Sequence, residues 1–233
     1  MTKSKSDLHN VKRRLESLPG LRVAAKRSQK YTDLLESTER AKAIATSLSA
    51  ALTRVRPHFP SVTGGTTSAK LSEMALKAQR LRDRLDKEPE LVTDDKTEKD
   101  VVLIGELAKG ANQALVDEWD RTVGASFPPR ETIATVLERV LPKEGTRIKR
   151  QVASGSQLGR TVPKSESDAE RLAELIADID VSFTKIGLKN EVGKFLRESA
   201  TETGASLSDF SSPPIKEFIE THGLANSFRV KIG

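Results

Sequence analysis

The sequence predicts an all-α protein: a helical bundle with a long antiparallel helical hairpin, then a small C-terminal helical domain ending in a short strand. Three observations carry this. Aromatic residues make up only 4% of the 233 residues, too few for a β-sandwich or thick α/β core rich in Val, Ile, Phe and Tyr. Charged residues reach 31% and apolar ones 36%, against about 25% and roughly 45–50% (the latter with glycine included) in ordinary domains. The apolar residues also recur at helical intervals, which suits long helices with large solvated faces.

Residues 1–6 are expected to be disordered. From Asp7 to about Leu18, the residues Leu8, Val11, Leu15 and Leu18 line one face of a short basic helix, which Pro19-Gly20 should end. A long helix follows from about Lys30 to Val55, with Leu34, Ala41, Leu48 and Val55 at intervals of seven and Ile44 and Leu52 between them. Pro57 and Pro60 stop it, and 61–68 reads as a turn. A second helix to about Asp86 carries Leu71, Met74, Ala78, Leu81 and Leu85 at 3-4-3-4 spacing. Two seams joined by a Pro/Gly loop predict the antiparallel hairpin.

Residues 87–96 read as an acidic loop. Thr97, with Asp100 three residues on, resembles a capping box in which Asp replaces Glu or Gln. It opens the most apolar helix, to about Val123, whose face is Val101, Ile104, Ala108, Ala111 and Leu115 and whose core end is Trp119. Gly105 and Gly110 each cost about 1 kcal/mol relative to Ala inside a helix; with Ala108, Ala111 and Ala114 they form a strip where another helix can pack closely. Pro128-Pro129 starts a helix to about Leu141. Residues 143–164, with three Gly, one Pro and no sustained period, read as a basic linker or loop. Thus 7–142 is the expected N-terminal bundle and 165–233 the C-terminal domain.

In the latter, Ser167-x-x-Glu170 is a capping box for a helix with Leu172, Ile176, Ile179 and Phe183 inward. Gly187 separates it from a helix at 188–199, and 204–211 is loop. Ser212 as N-cap, with Pro213 or Pro214 in the first turn, opens a last short helix to about His222, with Gly223 as its C-cap candidate. Residues 227–233 alternate Phe228, Val230 and Ile232 with Arg229 and Lys231, a strand signature. No repeat of 20–50 residues is present, so a solenoid is not supported.

The net charge of +6 is uneven. Residues 1–30 hold nine Lys/Arg against Asp7 and Glu16, and 143–164 hold six against Glu144, while the remainder holds 24 basic and 30 acidic residues. Basic appendages on an acidic frame suit contact with phosphates or an acidic partner; a solvated arm is the alternative. Lys12, Arg13, Arg14, Arg22, Lys26, Arg27, Lys149 and Arg150 are the candidate nucleic-acid contacts. Tyr31 and Phe59 are the only aromatics near them, so binding would follow the backbone rather than stacked bases.

Reactive chemistry finds little support. The chain has no cysteine, which removes thiolate metal sites and cysteine nucleophiles and fits a reducing, cytoplasmic setting. Gly155-Ser-Gln-Leu-Gly159-Arg-Thr161 is one residue short of a phosphate loop, has Arg for Lys and lacks a preceding strand. His9, His58 and His222 show no ligand spacing, and Asp178 and Asp180 diverge by about 200° on a helix. No serine sits in G-x-S-x-G. No catalytic residue, metal or cofactor is expected. The longest apolar run, Val101 to Ile104, is four residues against about 20 for a membrane span, and the polar start lacks a secretory signal.

The expected role is therefore a non-enzymatic adaptor or scaffold subunit that docks onto a larger protein complex. Its candidate interface residues are Leu71, Met74 and Leu81 on the second seam, Gly105 and Gly110 on the small-residue strip, and Phe228, Val230 and Ile232 on the tail. The alternative is an accessory factor that grips nucleic-acid backbone.

Overall fold

A computed structural model describes residues 3–201 and 204–228, with the side chains of these except 3–19, 21, 93 and 207. The protein is mainly α-helical, and no strand occurs among the described residues. The order is α1 (Lys3–Val55), α2 (Gly65–Lys87), a 3₁₀ turn (Pro89–Thr93), α3 (Asp95–Thr122), a second 3₁₀ turn (Gly124–Ser126), α4 (Phe127–Val140), α5 (Pro142–Gly159), α6 (Glu166–Lys185), α7 (Asn190–Ser199), α8 (Leu207–Phe210) and α9 (Pro213–Thr221).

The chain divides into two compact units: Met1–Ser49 with Gly64–Leu115, and Ala50–Thr63 with Val116–Gly233. The division expected at 143–164 is therefore replaced by one in which that segment lies inside the second unit.

In the first unit, Ala41 of α1, Met74 and Leu81 of α2, and Val101, Ile104 and Ala108 of α3 form one buried core. Leu34, Ile44, Leu71, Ala78 and Leu85 pack around it. The seams read from the sequence thus meet inside the chain. Small residues at Ala41 and Ala108 let these helices close over a thin core. Thr67 Oγ donates to the Ala111 carbonyl at 3.3 Å. The expected box at Thr97 is different in detail: α3 starts at Asp95. Thr97 Oγ donates to the Leu91 carbonyl at 2.7 Å and accepts from Arg84 at 2.7 Å. Arg84 also pairs with Asp100 at 3.2 Å.

Two further expectations for α1 are corrected. It is one helix of 53 residues, with neither a disordered stretch at residues 3–6 nor a stop at Pro19-Gly20. Pro19 removes one N–H from the helical ladder but does not end it. Every described residue from Arg22 to Asp33 is exposed, so this stretch of α1 runs outside the first unit's core.

In the second unit, the expected linker is α5. Its buried residues are Gly145, Ile148, Val152, Gly155 and Gly159, a 3-4-3-4 spacing largely spelled in glycine. The absent side chains are the packing device. A Cβ at Gly155 or Gly159 would come within 2.7 or 2.6 Å of the Phe127 ring. One at Gly145 would run into the backbone of Leu137 and Glu138 on α4. Trp119, fully buried, donates Nε1–H to the Gly159 carbonyl at 2.8 Å and meets Phe59 edge to face at 5.1 Å.

Ser165, rather than Ser167, caps α6 by accepting from the Asp168 N–H at 3.1 Å. Helix α6 ends at Gly187 (φ 72°), where the Leu188 N–H reaches the Phe183 carbonyl at 3.0 Å. Helix α9 ends likewise at Gly223 (φ 64°), with Leu224 N–H on the Ile219 carbonyl at 2.8 Å. A left-handed residue followed by a 6→1 bond is the glycine-terminated cap, as expected for Gly223. Ser212 stands at the N-cap of α9 without capping it; its hydroxyl donates to Glu191 at 2.8 Å. At α8, Ser206 and Asp209 form a capping box, and the Ser206 hydroxyl and N–H hold the Asp209 carboxyl below its ordinary 3.8.

Candidate docking surfaces

An open apolar groove of about 710 Å³ lies in the first unit between α1 and α2. Tyr31, Leu34, Leu35 and Thr38 form one wall, Ala78, Leu81 and Leu85 the other, and Pro89 and Val92 close an end. Tyr31 is 57% exposed and Leu35 49%. They lie one helical turn apart, so they present a continuous apolar edge. A smaller cleft of about 290 Å³ opens on a neighbouring face of α1, beside α3, where Lys30 pairs with Glu98 at 3.3 Å. Leu34 lines both.

The groove's own charged lining residues, Arg82 and Asp86, pair at 3.6 Å, and the chain beyond its Pro89 end is acidic. Residues 83–100 hold eight Asp/Glu against four Lys/Arg, and Glu88, Glu90 and Asp95 are exposed with no ion pair among the described residues. An apolar groove with exposed carboxylates beside one end complements a helix with an apolar stripe and a basic segment.

The candidate interface residues divide. Met74 and Leu81 are buried and Leu71 half-buried in the first unit's core, so they hold this chain together; Leu81 also reaches the groove floor. Gly105 meets nothing within 4 Å, and Gly110 meets only the Lys70 side chain, at 3.3 Å. The two glycines are therefore not points of close helix packing, whereas Ala108 and Ala111 of the same strip are buried. Gly105→Ala should therefore raise stability by about 0.5–1 kcal/mol through helix propensity, read as a higher denaturation midpoint; a lower midpoint would mean that the glycine is needed. Phe228 packs edge to face on Phe195 at 5.0 Å, with Phe210 beside both, so its ring is used internally. Val230 and Ile232, and the strand expected there, lie outside the described residues.

Of the basic candidates, Arg22, Lys26 and Arg27 are exposed along α1. The side chains of Lys12, Arg13 and Arg14 lie outside the described ones. Lys149 is bound to Glu138. Arg150 is exposed and shares a face of α5 with exposed Lys143 and Arg147, at i, i+4 and i+7.

The second unit also has a polar cleft of about 440 Å³ between α4, α6 and α7. Arg130 donates to both Asp180 oxygens, at 2.9 and 3.3 Å, and to the Ser126 carbonyl at 3.1 Å. Lys189, Asn190 and Arg197 also line it, and Lys189 pairs with Glu217 at 3.2 Å. Neither a histidine nor a nucleophile with a partnered base lines it. Its charges join positions 50 apart in the chain, a pairing that no local pattern signals.

His222 Nε2 hydrogen-bonds the Ile186 carbonyl at 2.9 Å. The segment that approached a phosphate loop is helical, and Phe127 covers both of its glycines. Among the described residues, no three His, Cys, Asp or Glu side chains are grouped to hold a metal ion, and no helix is long and apolar enough to cross a membrane. The chain matches no protein-family model, no curated protein and no solved structure.

Proposed function

We propose that the protein is a non-enzymatic adaptor or scaffold subunit, working in a cytoplasmic setting, whose α1–α2 groove seats a basic amphipathic helix of a protein partner. The supporting observation is the apolar groove with Tyr31 and Leu35 exposed at its edge and exposed Glu88 and Glu90 beside its Pro89 end. With about half of each Tyr31 and Leu35 side chain already covered, burying the remainder is worth roughly 1 kcal/mol apiece, so several such anchors together hold a helix. The α1–α2 pair, as an antiparallel hairpin, is the frame of the seat. A strand at 227–233 is a second docking edge in the same reading, adding to a partner's sheet.

Because the chain has no cysteine, Leu35→Cys supplies a unique thiol. A photocrosslinker there should capture the partner's helix; the same label at Leu76→Cys, exposed on α2 outside the groove, should not. The purified partner should bind Leu35→Glu at least tenfold more weakly, a difference of about 1.4 kcal/mol. Equal binding of both forms rejects groove docking.

One observation favours a second reading, attachment to nucleic-acid backbone. Lys143, Arg147 and Arg150 form an exposed basic stripe on α5. Three phosphate contacts should weaken duplex binding several-fold to about fiftyfold between roughly 50 and 200 mM salt. Reversing Arg147 and Arg150 to Glu should abolish it. Absence of binding at the lower salt removes this reading.

A further inference from the structure

The groove has the position of a missing bundle member. Three helices, α1 to α3, surround the first unit's core, and helical bundles commonly close with a fourth that brings its own apolar stripe. The occupant must offer leucine-like residues at helical spacing and positive flanks to meet the carboxylates of 83–100.

One segment of the chain meets both requirements. In α1 itself, Leu8, Val11, Leu15 and Leu18 recur at 3-4-3 spacing with Lys12, Arg13 and Arg14 among them. It cannot reach the groove of its own chain. The helix is continuous, and Leu15 lies sixteen residues before Tyr31, about 24 Å away along the axis at about 1.5 Å per residue. A second chain has no such restriction.

We infer that the partner helix is the segment 3–20 of a second copy, each chain laying its basic N-terminal arm in the other's groove to make a reciprocal dimer. This inference rests on the groove-docking reading and names its occupant. Exchange of identical elements in pairs closes under two-fold symmetry and leaves no open end. Opposite charge on the arm and on 83–100 sets the pairing and makes it sensitive to salt. Val23, 50% exposed between the two, lies along the stretch where paired arms pass each other.

Sedimentation equilibrium of the full chain tests it. At about 100 µM chain and about 0.1 M salt, the mass should be twice 25.5 kDa, moving toward the monomer near 1 M salt. Leu15→Asp damages the arm and Leu35→Glu the groove; each alone should give a monomer with unchanged helical circular dichroism. Mixing the two should restore a dimer containing one of each, because one chain retains an intact groove and the other an intact arm. Lys12→Glu with Arg13→Glu supplies a second arm variant that keeps helix-forming residues, and it should behave as Leu15→Asp does.

A wild-type monomer at that concentration overturns the inference, as does a dimer that survives either single substitution or a mixture that stays monomeric. If the wild type is monomeric and Leu35→Glu still loses a separate partner, groove docking stands and self-pairing falls. If Leu35→Glu changes neither measurement, both fall.

Discussion

Trp119→Ala is expected to lower stability by about 3–5 kcal/mol, the cost of emptying a fully buried aromatic site. Three losses combine. The indole has no solvent exposure. Its edge-to-face partner Phe59, at 5.1 Å, loses a contact worth about 0.5–1.5 kcal/mol beyond its area. The Gly159 carbonyl, held at 2.8 Å, loses its side-chain donor. Trp119→Phe separates these effects. It retains most of the apolar volume but removes the N–H together with part of the indole, so a smaller loss of about 1–3 kcal/mol is expected. Urea denaturation followed by circular dichroism should rank wild type, Trp119→Phe and Trp119→Ala in that order. Equal midpoints for the two variants would show that the hydrogen bond and the cavity are not separable there.

The all-α class was legible because it rests on periodicity. Leu34, Ala41, Met74, Leu81, Val101 and Ile104 were placed on inward faces from spacing alone, and they meet in one core. Trp119 was read as a core end for the same reason. What escaped was written in absences. Helix α5 has only Ile148 and Val152 as large buried residues, its other buried positions being glycines. A hydrophobic pattern counts glycine as a breaker, although here it is the contact surface. At Pro19-Gly20 two strong stop residues lie within α1, showing how far a proline's local preference can be overridden. Ser165 and Ser167 are both able to cap; the helix takes the earlier one, a choice within ordinary boundary error.

Less of the candidate surfaces could be read. Exposure of Tyr31 and Leu35 depends on where α2 ends beside α1, which spacing does not report. The ion pair of Arg130 and Asp180 is likewise a product of tertiary packing. The basic segments were visible as composition, but their division was not. Lys149 is bound to Glu138 whereas Arg150 faces solvent, although the two are neighbours in sequence. On a helix, adjacent residues point about 100° apart, and that angle decides which one a carboxylate can reach.

Gly145→Ala is the sharpest test of the glycine-faced helix. Elsewhere the exchange helps a helix by about 1 kcal/mol, as expected for Gly105. At Gly145 the added methyl would occupy space already filled by the backbone of Leu137 and Glu138, so α4 and α5 must separate. A net loss of about 3 kcal/mol or more is expected, at the upper end of overpacking costs, because backbone has no rotamer through which to yield. Gly155→Ala meets the Phe127 ring instead, at 2.7 Å, and a side chain can be trimmed. Combining Gly155→Ala with Phe127→Leu should therefore recover part of that loss, giving a favourable coupling of about 0.5–3 kcal/mol in a double-mutant cycle. The same Phe127→Leu should do nothing for Gly145→Ala, whose obstacle is main chain. If Gly145→Ala left the denaturation midpoint where it is in the wild type, α5 would not pack against α4 through its backbone, and the account of why 142–159 is helical would fail.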